Sequence, residues 1–360
     1  MAESHARYVS RLVPRNTKVF TAVVIAVAVV NSATLGYDSS LMNGLQILPS
    51  YTDYFHLNTA TNGLNNAASW MGAILATPLL QFVPDNFGRK KAILLSAIVC
   101  FIGIILQSAS QNIGMFIVAR MIVGLGSQLS SAASPALLGE LLPAVTRGRI
   151  LGFFFSCFYV GSLASAIINY GSQNIQSTWS WRLPSLLQII PSLLALCLLP
   201  FVPESPRWLI SQGRHDQPLW QLCHFALSVP QLTRNNSFYL DKILTQAGIT
   251  DTTTKTQINV ILSCFSFVVA CFGSYMLDII GRRKQALGSV ASMIVCLYIV
   301  GGMIKKFGES SNKSGIYGTI AFIFLFQGFY AFSITPLTSL YPTEISQYKL
   351  RTTGIAIFRL

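Results

Sequence analysis

Nine stretches of mostly apolar residues run along the 360-residue chain, near 19–38, 63–83, 92–109, 113–134, 150–170, 184–202, 257–277, 286–304 and 315–335, with short polar segments between them. Each is about 18 to 22 residues long, enough for a helix to cross a hydrocarbon core of roughly 30 Å. The pattern predicts an all-α, multi-pass integral membrane protein. Composition agrees. Hydrophobic residues make up 52% and charged residues 10%, whereas a soluble domain carries roughly 25% charge.

The net charge of +13 does not indicate a nucleic-acid partner, because the basic residues fall in alternate loops rather than on one patch. Arg7, Arg11, Arg15 and Lys18 precede the first run, and Arg89, Lys90 and Lys91 follow the second. Arg147 and Arg149 follow the fourth, and Arg207 and Arg214 the sixth. The positive-inside rule then places these loops and the N-terminus in the cytoplasm. The first run continues through Leu35-Gly36-Tyr37, and this parity requires it as a retained span rather than a cleaved signal.

One charge pattern occurs twice. Asp85-Asn86-Phe87-Gly88-Arg89-Lys90-Lys91 is followed by Glu140 and Arg147, and Asp278-Ile279-Ile280-Gly281-Arg282-Arg283-Lys284 by Glu344 and Arg351, with Glu to Arg seven residues in each copy. A repeat of this length in a hydrophobic chain points to duplicated helix bundles with a binding site between them, the architecture of a two-half membrane transporter. Parity also exposes a gap. Two cytoplasmic loops, Arg207–Arg214 and Gly281–Lys284, have only one clear span between them, and the stretch Leu219–Leu232 is too short to supply another. The expected organisation is therefore an N-terminal six-helix half over 1–214, a shortened central loop with a remnant seventh helix over 215–256, and a partial second half over 257–360. By the symmetry of the halves the last two helices are absent.

The charges suggest chemistry. In a tight turn between spans, Gly88 and Gly281 permit the chain reversal, while an acidic residue beside guanidinium groups can form ion pairs present in only one arrangement of the bundle. Glu140 and Glu344 are placed to cross-link to these loops. Arg120 lies about seven residues into its run, where an unpaired guanidinium costs on the order of 2.5 to 3.5 kcal/mol. Asp38 is the nearest carboxylate by depth, and a carboxylate whose cationic neighbour comes and goes can carry a proton. Small residues around Gly124 and Gly126 predict close helix packing. The seven cysteines show no paired or metal-binding spacing, so no disulfide framework, metal or cofactor is expected. No phosphate-binding Gly-rich loop supports an ATP-driven pump, and no nucleophile and base constellation supports an enzyme. Sequons stand at Asn235 and Asn312.

These residues resemble the sugar porters of the major facilitator superfamily, fungal hexose and lactose permease-like members above all. Gly36-Tyr37-Asp38, Asp85-x-x-Gly88-Arg89-Lys90, Arg120-x-x-x-Gly124-x-Gly126, Trp181-Arg182-Leu183-Pro184, Pro203-Glu204-Ser205-Pro206-Arg207-Trp208-Leu209 and Tyr341-Pro342-Thr343-Glu344 occur in family order. The resemblance implies two pseudo-symmetric six-helix halves, alternating access, and uptake of a small-molecule sugar with a proton, across a lipid bilayer such as the plasma membrane. It implies that Asp38 and Arg120 form the proton-coupling pair. It further implies a cytoplasmic gate made of Asp85, Gly88, Arg89, Lys90, Glu140, Arg147, Glu204, Arg207, Asp278, Gly281, Arg282, Arg283, Glu344 and Arg351. Phe155, Tyr159, Gln188 and Ser339 are the candidate substrate contacts. Phe155 stands where many members have a sugar-binding Gln, and Ser339 where many have a Trp; the polar residues of the seventh helix are not recognisable. A transporter-like sugar sensor or a non-functional truncated transporter is the alternative.

Overall fold

The computed structural model describes residues 17–142, 144–205, 208, 251–307 and 313–337. Arg207, Ser339, Glu344, Arg351, both sequons and the Leu219–Leu232 stretch fall outside the described residues, as do the side chains of Arg147 and Asp278.

Among the described residues the chain is entirely helical. The elements are α1 (Thr17–Leu45), α2 (Pro49–Tyr54), α3 (Thr59–Phe87), α4 (Arg89–Ser108), α5 (Ile113–Leu141), α6 (Ala144–Ser156), α7 (Phe158–Ser172), α8 (Trp179–Leu187), α9 (Ile189–Leu198), α10 (Thr252–Ile280), α11 (Arg282–Phe307) and α12 (Lys313–Phe329). Helices α6 and α7 form one span interrupted at Cys157, and α8 and α9 another interrupted at Gln188. Among the described residues nine spans result, one for each apolar run in the sequence. Most helices outrun their apolar runs by a turn or more, because backbone amides leaving the hydrocarbon still need partners and the helix supplies them until water can. Proline does not stop them: α3 continues through Pro78 and Pro84, and α5 through Pro135.

Helix packing follows small residues. A Cβ on Gly36 of α1 would lie 1.8 Å from the carbonyl oxygen of Phe158, and one on Gly161 of α7 would lie 1.8 Å from that of Ala33. The two backbones therefore touch, which only glycine at both positions allows. Gly124 of α5 meets the Ser69 carbonyl in the same way, as the small-residue run predicts.

Among α10, α11 and α12, the last passes into a π-helical segment, Tyr330–Ile334. The wider turn disturbs the i to i−4 ladder, and side chains of α11 bond to this stretch of backbone. Gln285 donates to the carbonyl of Phe332 at 2.8 Å and to that of Gly273 at 3.0 Å, and Ser289 donates to the carbonyl of Phe329. Large apolar side chains such as Ile74, Val268, Leu287 and Tyr298 point outward, the surface a bilayer covers.

Candidate functional site

Three polar constellations in the interior bring the candidate residues together. The first is built on α1, α5 and the α8/α9 span. Asp38, Arg120 and Gln188 are buried together, at 6%, 1% and 0% exposure. Arg120 Nη1 donates to the main-chain oxygen of Asp38 at 3.3 Å, and Gln188 Nε2 donates to the carboxylate itself. The pairing of Asp38 with Arg120 expected from depth is present in space, but the guanidinium holds the backbone while an amide holds the carboxylate. Gln188, expected to contact substrate, is thus engaged with Asp38.

Above this group, at the end of the bundle opposite the basic loops, Tyr51, Phe55, Phe116 and Trp181 pack ring on ring, with centroids 5.1 to 6.2 Å apart. Arg182 stacks over Trp181 at 5.1 Å. Tyr51 accepts a hydrogen bond from Asn65, and burial pushes its hydroxyl well above the usual tyrosine range. This lid was not read from the sequence. Its residues come from α2 and the residue that caps it, α5 and α8, and only the cluster Tyr51, Tyr54 and Phe55 after α1 hints at it.

The second constellation lies at the basic-loop end, around the turn between α3 and α4. Gly88 sits there at φ +99° and ψ 159°, a region nearly closed to other residues; Gly281 repeats it at φ +88°. Arg89, 3% exposed, reaches Glu140 Oε2 at 3.3 Å, Asp85 Oδ1 at 3.5 Å and the Pro84 carbonyl at 3.2 Å. The Glu140 carboxylate also accepts from Ser205 Oγ, which in turn accepts from the amide of Trp208 at 3.2 Å. Glu204 spreads its two oxygens over the amide of Lys90, at 3.0 and 3.3 Å, so a carboxylate sits on the positive N-terminus of α4. Trp208 Nε1 closes the ring by donating to the Asp85 carbonyl at 2.7 Å. The structure therefore joins Asp85, Gly88, Arg89, Lys90, Glu140 and Glu204 into one network, and adds Ser205 and Trp208, which the sequence reading placed in a family motif but not in the gate. In the second copy Arg282 is half-buried and Arg283 exposed.

The third constellation joins the two helix groups. Along antiparallel α6/α7 and α10, Ser156 meets Ser274 at 2.7 Å and donates to the Ala270 carbonyl at 3.2 Å. Ser162 meets Ser263 at 3.3 Å and also accepts from Ser40 of α1 at 2.7 Å, and Thr256 donates to Gln173 at 2.8 Å. Tyr159 lies in this seam, 4% exposed, with its hydroxyl 3.3 Å from that of Thr335. Phe155 instead packs against the inner apolar core beside Phe154.

The family described as "Sugar (and other) transporter" has a sequence model that matches residues 24–219 and 218–359. The chain belongs to this family. It is therefore a member of a transporter family and not an enzyme. The MFS-type transporter oryC of Aspergillus oryzae is 24% identical over 387 residues, covering 89% of this chain and 71% of that protein. A high-affinity glucose transporter of Kluyveromyces lactis is 33% identical over 196 residues, 54% of this chain and 36% of its own. Among solved structures, the proton:xylose symporter XylE bound to 6-bromo-6-deoxy-D-glucose superposes with a TM-score of 0.76 at 18% identity, covering 95% of this chain and 86% of that one. The fold is that of the major facilitator superfamily, and the chain is an integral multi-pass membrane protein.

Proposed function

We infer that this sugar porter family member is a secondary active transporter that carries a hexose or disaccharide with a proton by alternating access, at the plasma membrane. The observation that carries the reading is Asp38: a carboxylate buried in the membrane-spanning bundle beside an equally buried arginine, with a neutral amide as its side-chain partner. A buried carboxylate is costly unless it is neutralised or matched to a cation, so its charge is set by how close Arg120 comes in each conformation. The aromatic lid separates it from the outer surface, so access depends on movement. The Arg89–Glu140–Glu204 network, with Arg147 and Arg207 as further members, latches the cytoplasmic face; Asp278, Gly281, Arg282, Arg283, Glu344 and Arg351 form the matching latch of the second half. The substrate binds between the halves, against Tyr159 and Ser339.

Sugar as cargo is supported by family membership and by the glucose transporter of Kluyveromyces lactis. The test is uptake of labelled glucose, xylose and lactose by transporter-null yeast expressing the chain, with and without a protonophore. Asp38→Asn is expected to abolish accumulation against a gradient while exchange persists. Accumulation unchanged by Asp38→Asn rejects the proton site.

One observation favours a second reading. The family match falls into two segments that adjoin at residues 218 and 219, which supports a central region short relative to the family. A sugar sensor that binds without moving its ligand would fit such a chain, and saturable sugar binding by purified protein with no uptake is the result that would select it.

A further inference from the structure

The N-terminal bundle holds a small, partly open cavity of about 10 Å³ between α1, α4, α5 and α9, apart from the three constellations above. We propose that it is a binding site for one ordered water molecule, which ties Asn31 of α1 to Ser192 of α9. Several observations converge on it. The volume is that of about one water. Asn31 and Ser192 line it, each 4% exposed, and the Asn31 Nδ2 and Ser192 Oγ atoms are buried with no protein partner. Asn31 Oδ1 accepts from Ser130 Oγ at 3.1 Å, which leaves the amide nitrogen as its unmatched donor. Thr34 and Ser127 also line the cavity, and each spends its proton on a carbonyl of its own helix, at 2.9 and 3.2 Å, leaving hydroxyl lone pairs available. A water there accepts from Asn31 and donates to Ser192 and to one of these hydroxyls. That meets the two to four partners an interior water requires, whereas an unmatched amide and hydroxyl would each carry a desolvation penalty.

The place matters for the site above it. Asn31 precedes Asp38 by seven residues, two turns or about 10 Å along α1, and Ser192 follows Gln188 by one turn. A bridge between them fixes α1 against α9 immediately inward of the Asp38–Gln188 contact. The inference does not depend on what the chain transports.

The test uses radiolytic labelling. Cys100 borders the same cavity and is 3% exposed, whereas Cys157 is as deeply buried, at 2%, but does not line it. X-ray radiolysis of purified protein in nanodiscs generates hydroxyl radicals at internal waters, and mass spectrometry then reads oxidation at each cysteine. Cys100 is expected to oxidise severalfold faster than Cys157 in the wild type, because Cys100 borders the proposed water and Cys157 does not. Ser192→Val should remove that excess and the isosteric Ser192→Thr should keep it. Equal rates at the two cysteines in the wild type overturn the proposal, and so does Thr behaving as Val, which would assign the effect to packing. If the Val variant does not fold, Asn31→Leu is the second probe, and high-resolution density between Asn31 Nδ2 and Ser192 Oγ in the wild type decides directly. Loss of sugar uptake in any variant leaves this reading untouched, so the two proposals fail separately.

Discussion

The carboxylate of Glu204 fills the space that a side chain at Gly88 would occupy: a Cβ there would lie 2.4 Å from Glu204 Oε2. Gly88 is thus required twice, for its positive φ and for the approach of Glu204 to the N-terminus of α4. Gly281 has the same backbone conformation, but a Cβ there meets nothing within 4 Å among the described residues. Alanine at either position incurs the backbone penalty of about 1 to 3 kcal/mol. Gly88→Ala should cost more, because Glu204 must also leave the Lys90 amide. Thermal unfolding of the two variants in detergent checks this, and a larger loss for Gly281→Ala would contradict the assignment.

Arg89 and Glu140 form a buried ion pair beside the α3–α4 turn, their side chains 4% and 0% exposed. Removing one partner leaves a buried charge uncompensated, a loss of about 3 to 5 kcal/mol. Arg89→Met and Glu140→Leu are each expected to lower stability strongly, and the double variant to recover much of it. Additive losses in this cycle would show that the two charges do not act together. Arg89→Lys should not substitute, since an ammonium cannot reach Asp85, Glu140 and the Pro84 carbonyl at once.

Spans, their order, and the two glycine turns were legible in the sequence because each is a local property: length of an apolar run, a basic loop, a residue type that tolerates positive φ. Nearness of Asp38 and Arg120 was also legible, since depth in the membrane restricts which groups can meet. What depth could not give is the rotation of each helix. Asp38's carboxylate is held by Gln188 because α1 turns that face toward the α8/α9 span, and no spacing in the chain encodes this. The same applies to the serine seam, where Ser156, Ser162, Ser263 and Ser274 read singly as unremarkable small residues. The lid needed three separate helix ends to meet, a tertiary fact. Ser205 and Trp208 stood within a recognised motif, but their roles appear only once Glu140 and Asp85 are brought beside them.

Gln188 separates a substrate role from a carboxylate-holding one. If it acts on Asp38, Gln188→Leu leaves a buried carboxylate without its side-chain donor, a change of about 1 to 3 kcal/mol. Proton-driven accumulation should fall about tenfold or more, while the apparent affinity for sugar in exchange stays near the wild-type value. Gln188→Glu should fail in the same assay, because it sets a second acid against the first. A variant that loses sugar affinity while keeping its proton dependence would return Gln188 to the binding site.

The serine seam gives a direct test of movement between the helix groups. Ser156 and Ser274 hydroxyls lie 2.7 Å apart near the basic-loop end, close enough for a cysteine pair to be bridged after small adjustment. Each hydroxyl contact in a membrane interface contributes only about 0.6 kcal/mol, so Ser156→Ala or Ser274→Ala alone should leave transport nearly unchanged. Cross-linking is another matter. In a background with Cys157 and Cys271 replaced by Ala, the Ser156→Cys, Ser274→Cys pair should lose uptake on oxidation and regain it on reduction, because the proposed alternating access requires this end of the seam to part. Full uptake by the oxidised pair would mean that α6/α7 and α10 move as one body, and that opening occurs along another seam.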